Sequence, residues 1–343
     1  QGSIFLGLML RATGFLQNIS QPDLWVADPY TRYVGEIRPL NDEDLMRVRS
    51  VPGVAWAEPF FTARAPVELP DGTFKTAQLI GIDRNTLVGQ PPRMTAGRVE
   101  DLRIPDSVIV EETSRQKLAD VQIGDTLRLN DRRAVVVGFA QARLGFESNA
   151  LIYTTYERAI DFVPTSRNRM SFMLVKVKDD AGLRDVQRRI GQIEGLAAFT
   201  TSELRWRTIE FILRETGIGI NFGITVLLGF IVGLVVAAAI FYQFTLENLR
   251  YFAVLKAMGA TRFTLVKMIL GQALFVGMIG YGIGVGGAGV FSWMGRDPGS
   301  ELATYFPWQL MLGSLVAMLV CVSVGSLLSL RRVLSLEPAM IFK

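Results

Sequence analysis

The run Thr216–Leu246, TGIGINFGITVLLGFIVGLVVAAAIFYQFTL, contains no charged residue. A helix needs about 20 apolar residues to cross the ~30 Å hydrocarbon core of a bilayer, and this run exceeds that length. Two further uncharged runs follow it, Met268–Gly295 and Leu302–Leu330. Helices in globular cores average about 10–14 residues, so three such runs in succession read as membrane spans rather than buried helices.

The rest of the composition agrees. Half of the 343 residues are apolar, one fifth are charged and the mean hydropathy is +0.30. A soluble globular chain carries about a quarter of its residues as charge. There is no histidine, and Cys321 is the single cysteine. The commonest general base, the commonest metal ligand and any intramolecular disulfide are therefore excluded, and with them most hydrolase and metalloenzyme readings.

Charge placement sets the topology. Residues 1–205 hold 26 basic and 26 acidic side chains, while residues 206–343 hold 10 and 6. The segment Glu247–Lys267 carries a net +3, from Arg250, Lys256, Arg262 and Lys267 against Glu247. The tail after the third run carries +2, and the loop between the second and third runs, with Arg296, Asp297 and Glu301, carries −1. Lysine and arginine mark the cytoplasmic side, which places the +3 loop and the tail inside and the N-terminal 200 residues outside. Tyr305, Phe306 and Trp308 stand where an outer aromatic belt belongs. At the other end Ser3–Leu10, SIFLGLML, is apolar but too short to span. It is expected to be the outer end of a first transmembrane helix, giving four spans in the complete protein. A buried strand and a cleaved signal peptide are the competing readings.

Between the first two spans lies a mixed α/β domain. Leu24–Ala27 reads as a strand and Asn41–Ser50 as an amphipathic helix with acids in its first turn; Pro52-Gly53 ends that helix before a strand over Val54–Val67. The outline repeats as Phe172–Val177, a helix over Asp180–Ile193, Gly195 and Leu196–Thr200. The echo between SVPGVAWAEP and QIEGLAAFTT predicts two βαβ halves of one sheet layer. A central β-rich piece, with strands at Ser107–Glu111, Thr126–Leu129 and Ala134–Phe139, is read as a separate small lobe. Acid clusters such as Asp42-Glu43-Asp44 are helix-start charges and solvated edges rather than acid/base pairs. At the exit, Thr200 and Glu203 fit a capping box. With no proline before Leu246, one helix of about 40 residues, near 60 Å at 1.5 Å per residue, is expected to run as a rigid rod from the domain through the membrane.

Glycines recur in the spans. Gly219/Gly223 and Gly229/Gly233 have GxxxG spacing, and Gly277, Gly280, Gly282, Gly284, Gly286, Gly287 and Gly289 crowd the second uncharged run. Small residues let helix backbones approach closely in lipid, either within the chain or between two copies. No span holds an ionisable side chain, which argues against an ion-coupled transporter. In the inner loop, ENLRYFAVLKAMGATRFTLVKMILGQAL (247–274), Phe252, Leu255 and Met258 share one helical face with Val254 beside them. Gly259 is placed to end that helix and Thr261 to cap the next. Such a helix either lies in the headgroups or docks into a groove of a cytoplasmic partner.

The pattern E-x-x-R-x-F-A-V-L-K-A-M-G-A-T, the glycine-rich span and the ending RRVLSLEPAMIF resemble permease subunits of the MacB/FtsX superfamily of ABC transporters. The run GIGINFGITVLLGFIVG is most similar to the DevC-like branch, and SVIVEETSRQKLADVQIGDTLRL is similar to the family's periplasmic core. The resemblance implies an α-helical membrane domain of four transmembrane helices, the first truncated here, plus an extracytoplasmic mixed α/β domain of MacB periplasmic-core type. It implies a protein of the bacterial inner membrane that works as a homodimer with a cytoplasmic ABC ATPase subunit. The chain has no GxxxxGK[ST] phosphate loop, so ATP and Mg are expected on that partner, with no cofactor or metal bound directly and no catalytic residue of its own. Membrane lipid is a partner and nucleic acid is not. The implied ATPase-coupling residues are Glu247, Arg250, Tyr251, Phe252, Val254, Leu255, Lys256, Met258, Gly259 and Arg262. Phe252, Val254, Leu255 and Met258 are expected to fill the ATPase groove, with Arg250, Lys256 and Arg262 on its rim. Tyr251 departs from the acidic residue many relatives carry there.

The layout read from the sequence is the end of transmembrane helix 1 (1–17), the outer domain (18–203) and the stalk with helix 2 (204–246). The coupling loop (247–267), helix 3 (268–295), a short outer loop (296–304), helix 4 (305–330) and the tail (331–343) complete it. The function implied is export of a lipid-like or other amphiphilic substrate with a periplasmic adaptor and an outer-membrane channel. The alternative is an FtsX-like mechanotransmitter that regulates a cell-wall hydrolase without transport.

Overall fold

The computed structural model describes residues 1–147, 149–163, 170–294 and 304–334. Most of the expected outer loop 296–304, and the tail beyond Leu334, lie outside the described residues. The chain divides into two compact units, Leu8–Thr216 and a second made of Gln1–Gly7 with Gly217–Lys343.

The unit Leu8–Thr216 is built on one ten-stranded sheet. Helix α1 (Gly2–Ala12) leads into it, followed by α2 (Gly14–Gln17), β1 (Leu24–Ala27), α3 (Asp42–Arg49), β2 (Val54–Glu68) and β3 (Phe74–Ile82). The chain continues through β4 (Arg93–Ala96), β5 (Ser107–Glu111), α4 (Ser114–Lys117), β6 (Thr126–Leu129), β7 (Arg132–Gln141), β8 (Ala150–Thr155) and α5 (Tyr156–Phe162). It closes with β9 (Phe172–Val177), α6 (Leu183–Gly191), β10 (Ala197–Thr200) and α7 (Thr201–Glu215). The strand order is β10-β1-β9-β2-β3-β8-β5-β7-β4, with β6 pairing β2 and β7.

The echo in the sequence marks two halves that interleave. β9 lies between β1 and β2, and β1 lies between β9 and β10, with every pairing among these four antiparallel. The echoing glycines Gly53 and Gly195 share a positive φ, 96° and 82°, at the corresponding helix-to-strand turns. The central strands β5, β7 and β8 continue the same sheet through the parallel β3–β8 pair rather than forming a detached lobe.

Side-chain alternation gives this sheet two buried faces. On β1, Leu24 and Val26 join Leu45 and Val48 of α3 and Val186 and Ile190 of α6 in one core. Trp25 and Ala27 point the other way, into a core that holds Phe60, Phe172, Phe15 and Leu16 of α2, Ile19, and Leu204 of α7. Segments that enter and leave the unit thus share one core. Asn18 secures the entry, its amide donating to the Arg143 carbonyl (2.9 Å) while its carbonyl oxygen accepts from the Arg143 N–H (2.8 Å).

The expected single long helix is two helices. α7 ends at Glu215 and α8 (Ile218–Glu247) begins after Gly217, which stands at φ +69° in the left-handed region. That conformation costs an L-residue roughly 1–2 kcal/mol and glycine almost nothing, so the αR ladder is interrupted there. The rod is jointed.

In the membrane unit α8 is followed by α9 (Leu249–Ala257), α10 (Arg262–Met294) and α11 (Trp308–Leu334). Spans Ile218–Glu247, Phe263–Met294 and Trp308–Ser326 are long and apolar enough to cross a bilayer. α11 lies against both α8 and α10. A Cβ on Gly325 would sit 3.1 Å from the Ala238 backbone N, and one on Gly277 would sit 2.9 Å from Met318 and Val322 side-chain atoms. The first turns of α1 join this unit, with Phe5 and Phe222 ring centroids 5.3 Å apart and the Tyr305 N–H donating to the Ser3 carbonyl at 2.9 Å.

Those contacts divide the glycines of the spans. A Cβ on Gly223, Gly229, Gly233, Gly280, Gly282, Gly284 or Gly286 meets nothing within 4 Å. Among the described residues these seven do not pack helix on helix, whereas Gly277 and Gly325 do. Gly219 sits half-buried in the first turn of α8.

Candidate coupling site

The loop between α8 and α10 is an ordered helix–turn–helix start. Asn248 separates α8 from α9: its N–H and its side-chain amide both donate to the Phe244 carbonyl, at 3.1 and 2.8 Å. Its own carbonyl accepts from the Tyr251 and Phe252 N–H groups, at 3.0 and 3.2 Å. One short polar residue therefore closes one helix and opens the next.

α9 ends in a Schellman turn. The Gly259 N–H donates to the Lys256 carbonyl at 3.1 Å and the Ala260 N–H to the Leu255 carbonyl at 3.0 Å, with Gly259 at φ +99°. Thr261 Oγ1 then accepts from the Thr264 N–H at 3.2 Å and caps α10. A cap of this kind contributes about 1 kcal/mol. The turn predicted from Gly259 and Thr261 is thus present with both of its hydrogen-bond sets.

The side chains of α9 separate into two faces. Glu247, Arg250, Tyr251, Val254 and Met258 are exposed, Tyr251 and Met258 at 70% each. Leu255 and Lys256 are half-buried at the flank. Phe252 is 4% exposed and packs with Leu265 and Ile269 of α10, against Leu255, Ala260 and Val266. The expectation that Phe252 fills a partner's groove is therefore corrected: its ring is the inner core of the loop. The physical reason lies in α10, where Leu265 and Ile269, four residues apart on one face, supply the apolar surface it covers. Phe263, on the first turn of α10, is 76% exposed beside this loop in sequence and was not among the expected contact residues. The Arg262 side chain lies outside the described set. In sum, an exposed apolar strip of Tyr251, Val254 and Met258, bordered by Arg250 and Glu247, stands on a short helix with fixed ends.

In the outer unit, α7 is strapped along its length by residues 31–36. The Tyr33 ring stacks on Phe211 with centroids 4.4 Å apart and planes at 12°, and the Arg32 guanidinium lies 4.9 Å from the Phe211 centroid. Arg32 also bridges Glu36 (3.1 Å) and Glu215 (2.8 Å). Burial raises the Glu36 carboxyl, but hydrogen bonds from the Arg32 side chain and N–H outweigh it and hold the group below its ordinary value. The Val34 N–H donates to Thr208 Oγ1 at 3.1 Å, and Arg207 donates to the Thr31 carbonyl at 3.1 Å. α7 is held to its last turn, and the left-handed Gly217 follows directly.

Comparison with known proteins matches both units. Residues 3–193 match the MacB-like periplasmic core domain and residues 221–338 the FtsX-like permease C-terminal domain. The chain belongs to the ABC transporter permeases of MacB/FtsX type. It is similar to an uncharacterized ABC transporter permease of Mycobacterium tuberculosis, 26% identical over 319 residues, covering 90% of this chain and 80% of that protein. An uncharacterized ABC transporter permease of Mycobacterium bovis is 26% identical over 318 residues, covering 89% and 79%. Among solved structures, the periplasmic region of MacB from Actinobacillus actinomycetemcomitans aligns with 57% of this chain and 95% of its own, at 16% identity and a TM-score of 0.43. The extracellular domain of the noncanonic ABC-type transporter YknZ from Gram-positive bacteria aligns with 52% and 99%, at 12% identity and a TM-score of 0.38. The protein is a multi-pass component of the inner membrane with its α/β domain on the periplasmic side, which puts the α8–α10 loop in the cytoplasm. Membership in this class implies a cytoplasmic ATPase partner and a dimer.

Proposed function

We propose that the chain couples ATP hydrolysis on a cytoplasmic ATPase subunit to movement of its periplasmic domain, expelling a lipid-like or other amphiphilic substrate through a periplasmic adaptor and an outer-membrane channel. The observation that carries the reading is the exposed strip Tyr251–Val254–Met258 on a helix whose ends are fixed by Asn248 and Gly259. An apolar helix face of this kind is what a groove on a partner recognises. With no GxxxxGK[ST] loop in the sequence, ATP and Mg belong to the partner and the chain contributes no catalytic residue. Arg250 and Glu247 border the strip and steer the approach, while Tyr251 takes by apolar contact what an acidic residue does in many relatives.

Docking moves α9, the helices of the membrane unit respond, and the jointed connection at Gly217 passes the displacement to α7 and the periplasmic sheet. The glycines that meet nothing among the described residues are available to a second copy, which supports a homodimer packed through α8 and α10. The DevC-like sequence features favour an amphiphile as cargo.

The test is a mild-detergent pull-down of the full chain with mass spectrometry of everything retained, beside Met258→Asp. An ABC ATPase together with a coiled-coil adaptor, lost with Met258→Asp, is the expected result. An ATPase with a cell-wall hydrolase activator instead of an adaptor moves the reading to mechanotransmission without transport. No retained ATPase overturns the coupling role.

A further inference from the structure

We infer that Phe252 is a positioning residue that locks the coupling helix α9 to the first turns of α10, so that the docking strip and the α10 span move as one piece. The inference deepens the coupling reading above and rests on it.

Three observations converge. Phe252 is buried on the side of α9 away from the strip: at about 100° per residue, Val254 stands about 200° around the helix from it. Its neighbours Leu265 and Ile269, the fourth and eighth residues of α10, are each 2% exposed, at the start of a buried stripe that continues to Ala273 on a helix otherwise widely exposed. Phe252 forms one apolar cluster with them, with Leu255, Ala260 and Val266 packed against it. The backbone between the two helices is closed as well, by the Ala260-to-Leu255 and Gly259-to-Lys256 hydrogen bonds on one side and the Thr264-to-Thr261 cap on the other. A turn with both ends hydrogen-bonded and an apolar wedge filling its inner angle has little freedom to open. Force applied to Tyr251, Val254 or Met258 is therefore delivered to α10 rather than absorbed by bending at Gly259.

The wedge also explains the chemistry of the two faces. α9 carries apolar residues nearly all round, and an untethered helix of that composition would roll in the interface until its largest ring met lipid. Seating Phe252 on Leu265 and Ile269 fixes the rotation that leaves Tyr251 and Met258 outward. Phe252 sets specificity without touching the partner.

The experiment uses the full chain with the ATPase it retains, and compares Phe252→Ala, Leu265→Ala, the double alanine variant, the exchanged pair Phe252→Leu/Leu265→Phe, and Met258→Asp. Phe252→Ala and Leu265→Ala should each weaken ATPase binding by about tenfold. The double alanine variant should be little worse than either, and the exchanged pair should recover to within about threefold, because both residues act through one contact. A nitroxide at position 258, in a Cys321→Ser background without ATPase, should become more mobile in Phe252→Ala and return to the parent spectrum in the exchanged pair; this readout does not require the partner. Loss of binding in Phe252→Ala with full binding in Leu265→Ala would make Phe252 a direct contact and overturn the inference. Unchanged binding and mobility in both would do the same. Binding that survives Met258→Asp would instead overturn the coupling reading itself.

Discussion

The indole N–H of Trp25 donates to Thr201 Oγ1 at 3.2 Å. Trp25 is fully buried in β1, and Thr201 is the first residue of α7. The same indole packs with Phe15 of α2 (6.2 Å), Phe60 (5.7 Å) and Phe172 (5.7 Å). The segment that enters the periplasmic unit and the helix that leaves it meet on one side chain. Trp25→Ala should cost about 3–5 kcal/mol, as large aromatic truncations in cores do, whereas Trp25→Phe should cost nearer 1–3, losing a hydrogen bond and leaving Thr201 underpartnered. Hydrogen exchange on β1, β9 and the first turns of α7 in the full chain reads both; exchange at the parent rate in Trp25→Phe would remove the bond to Thr201 from the account.

Thr216 and Gly217 separate the strapped helix α7 from the membrane helix α8, and Gly217 alone of the two is left-handed. Gly217→Ala either strains the left-handed joint by about 1 kcal/mol or drives the segment into continuous αR helix. The variant should insert, fold and bind ATPase normally but show slower amide exchange at 216–221 and a weaker ATP-driven response. Exchange identical to the parent would show that the joint carries no special conformational demand.

The strap on α7 is predicted to work by stacking more than by charge. Arg32 and Glu215 are exposed and Glu36 is half-buried, and ion pairs with an exposed partner contribute little. Tyr33→Ala removes the ring stacked on Phe211. Amides of Thr208–Glu215 should lose protection in Tyr33→Ala and change little in Arg32→Ala. The reverse order would assign the strap to electrostatics.

Glu58 gives the periplasmic unit a pH response of known sign. Burial raises its carboxyl above the ordinary range and Asp83 adds to the shift, while Arg49 at 2.8 Å opposes it without cancelling it. A raised folded-state value means that the folded state keeps a proton the unfolded chain has lost, so stability falls as pH rises from about 4.3 through that value. Glu36, Glu112 and Glu203 are held below their ordinary values, and their contribution is lost only as pH falls further. Protection of the β2 amides should therefore pass through an acidic maximum, and Glu58→Gln should flatten its upper limb. An unchanged upper limb in that variant would contradict the assignment.

Close approach at Gly325 separates inner packing glycines from outward ones. Gly325→Val pushes side-chain atoms into the Ala238 backbone and should lower the stability of the α8–α11 pair by about 1–3 kcal/mol. Gly284→Val meets open space within the chain and should leave that pair intact. Heat unfolding of the full chain in detergent distinguishes them.

Much of this was legible in the sequence because uncharged runs, helix caps and alternation are local signals. The three spans, the Thr200 capping box and the helix-to-strand turns at Gly53 and Gly195 are of that kind; the interleaving of the two halves, which rests on pairing between distant strands, is not. The break at Gly217 was not, since a glycine in TGIGI reads equally as a small residue of a continuous span; only its φ tells them apart. Nor was the inward seat of Phe252. The apolar residues of α9 at 251, 254 and 258 fit helical spacing as well as those at 252, 255 and 258, and the choice is made by Leu265 and Ile269 on another helix. Non-local contacts of that sort leave no periodic trace in the segment they decide.

The most direct test of the central claim is the distance between two spin labels at position 206, one per protomer, placed by Trp206→Cys in a Cys321→Ser background. Trp206 is exposed on α7, so the label reports the periplasmic unit. The measurement is made on the full complex with its ATPase, without nucleotide and with ATP plus vanadate. The account predicts a shift in the distance distribution on trapping ATP, absent when Met258→Asp is added. A distribution that ignores nucleotide in a complex that hydrolyses ATP would contradict it.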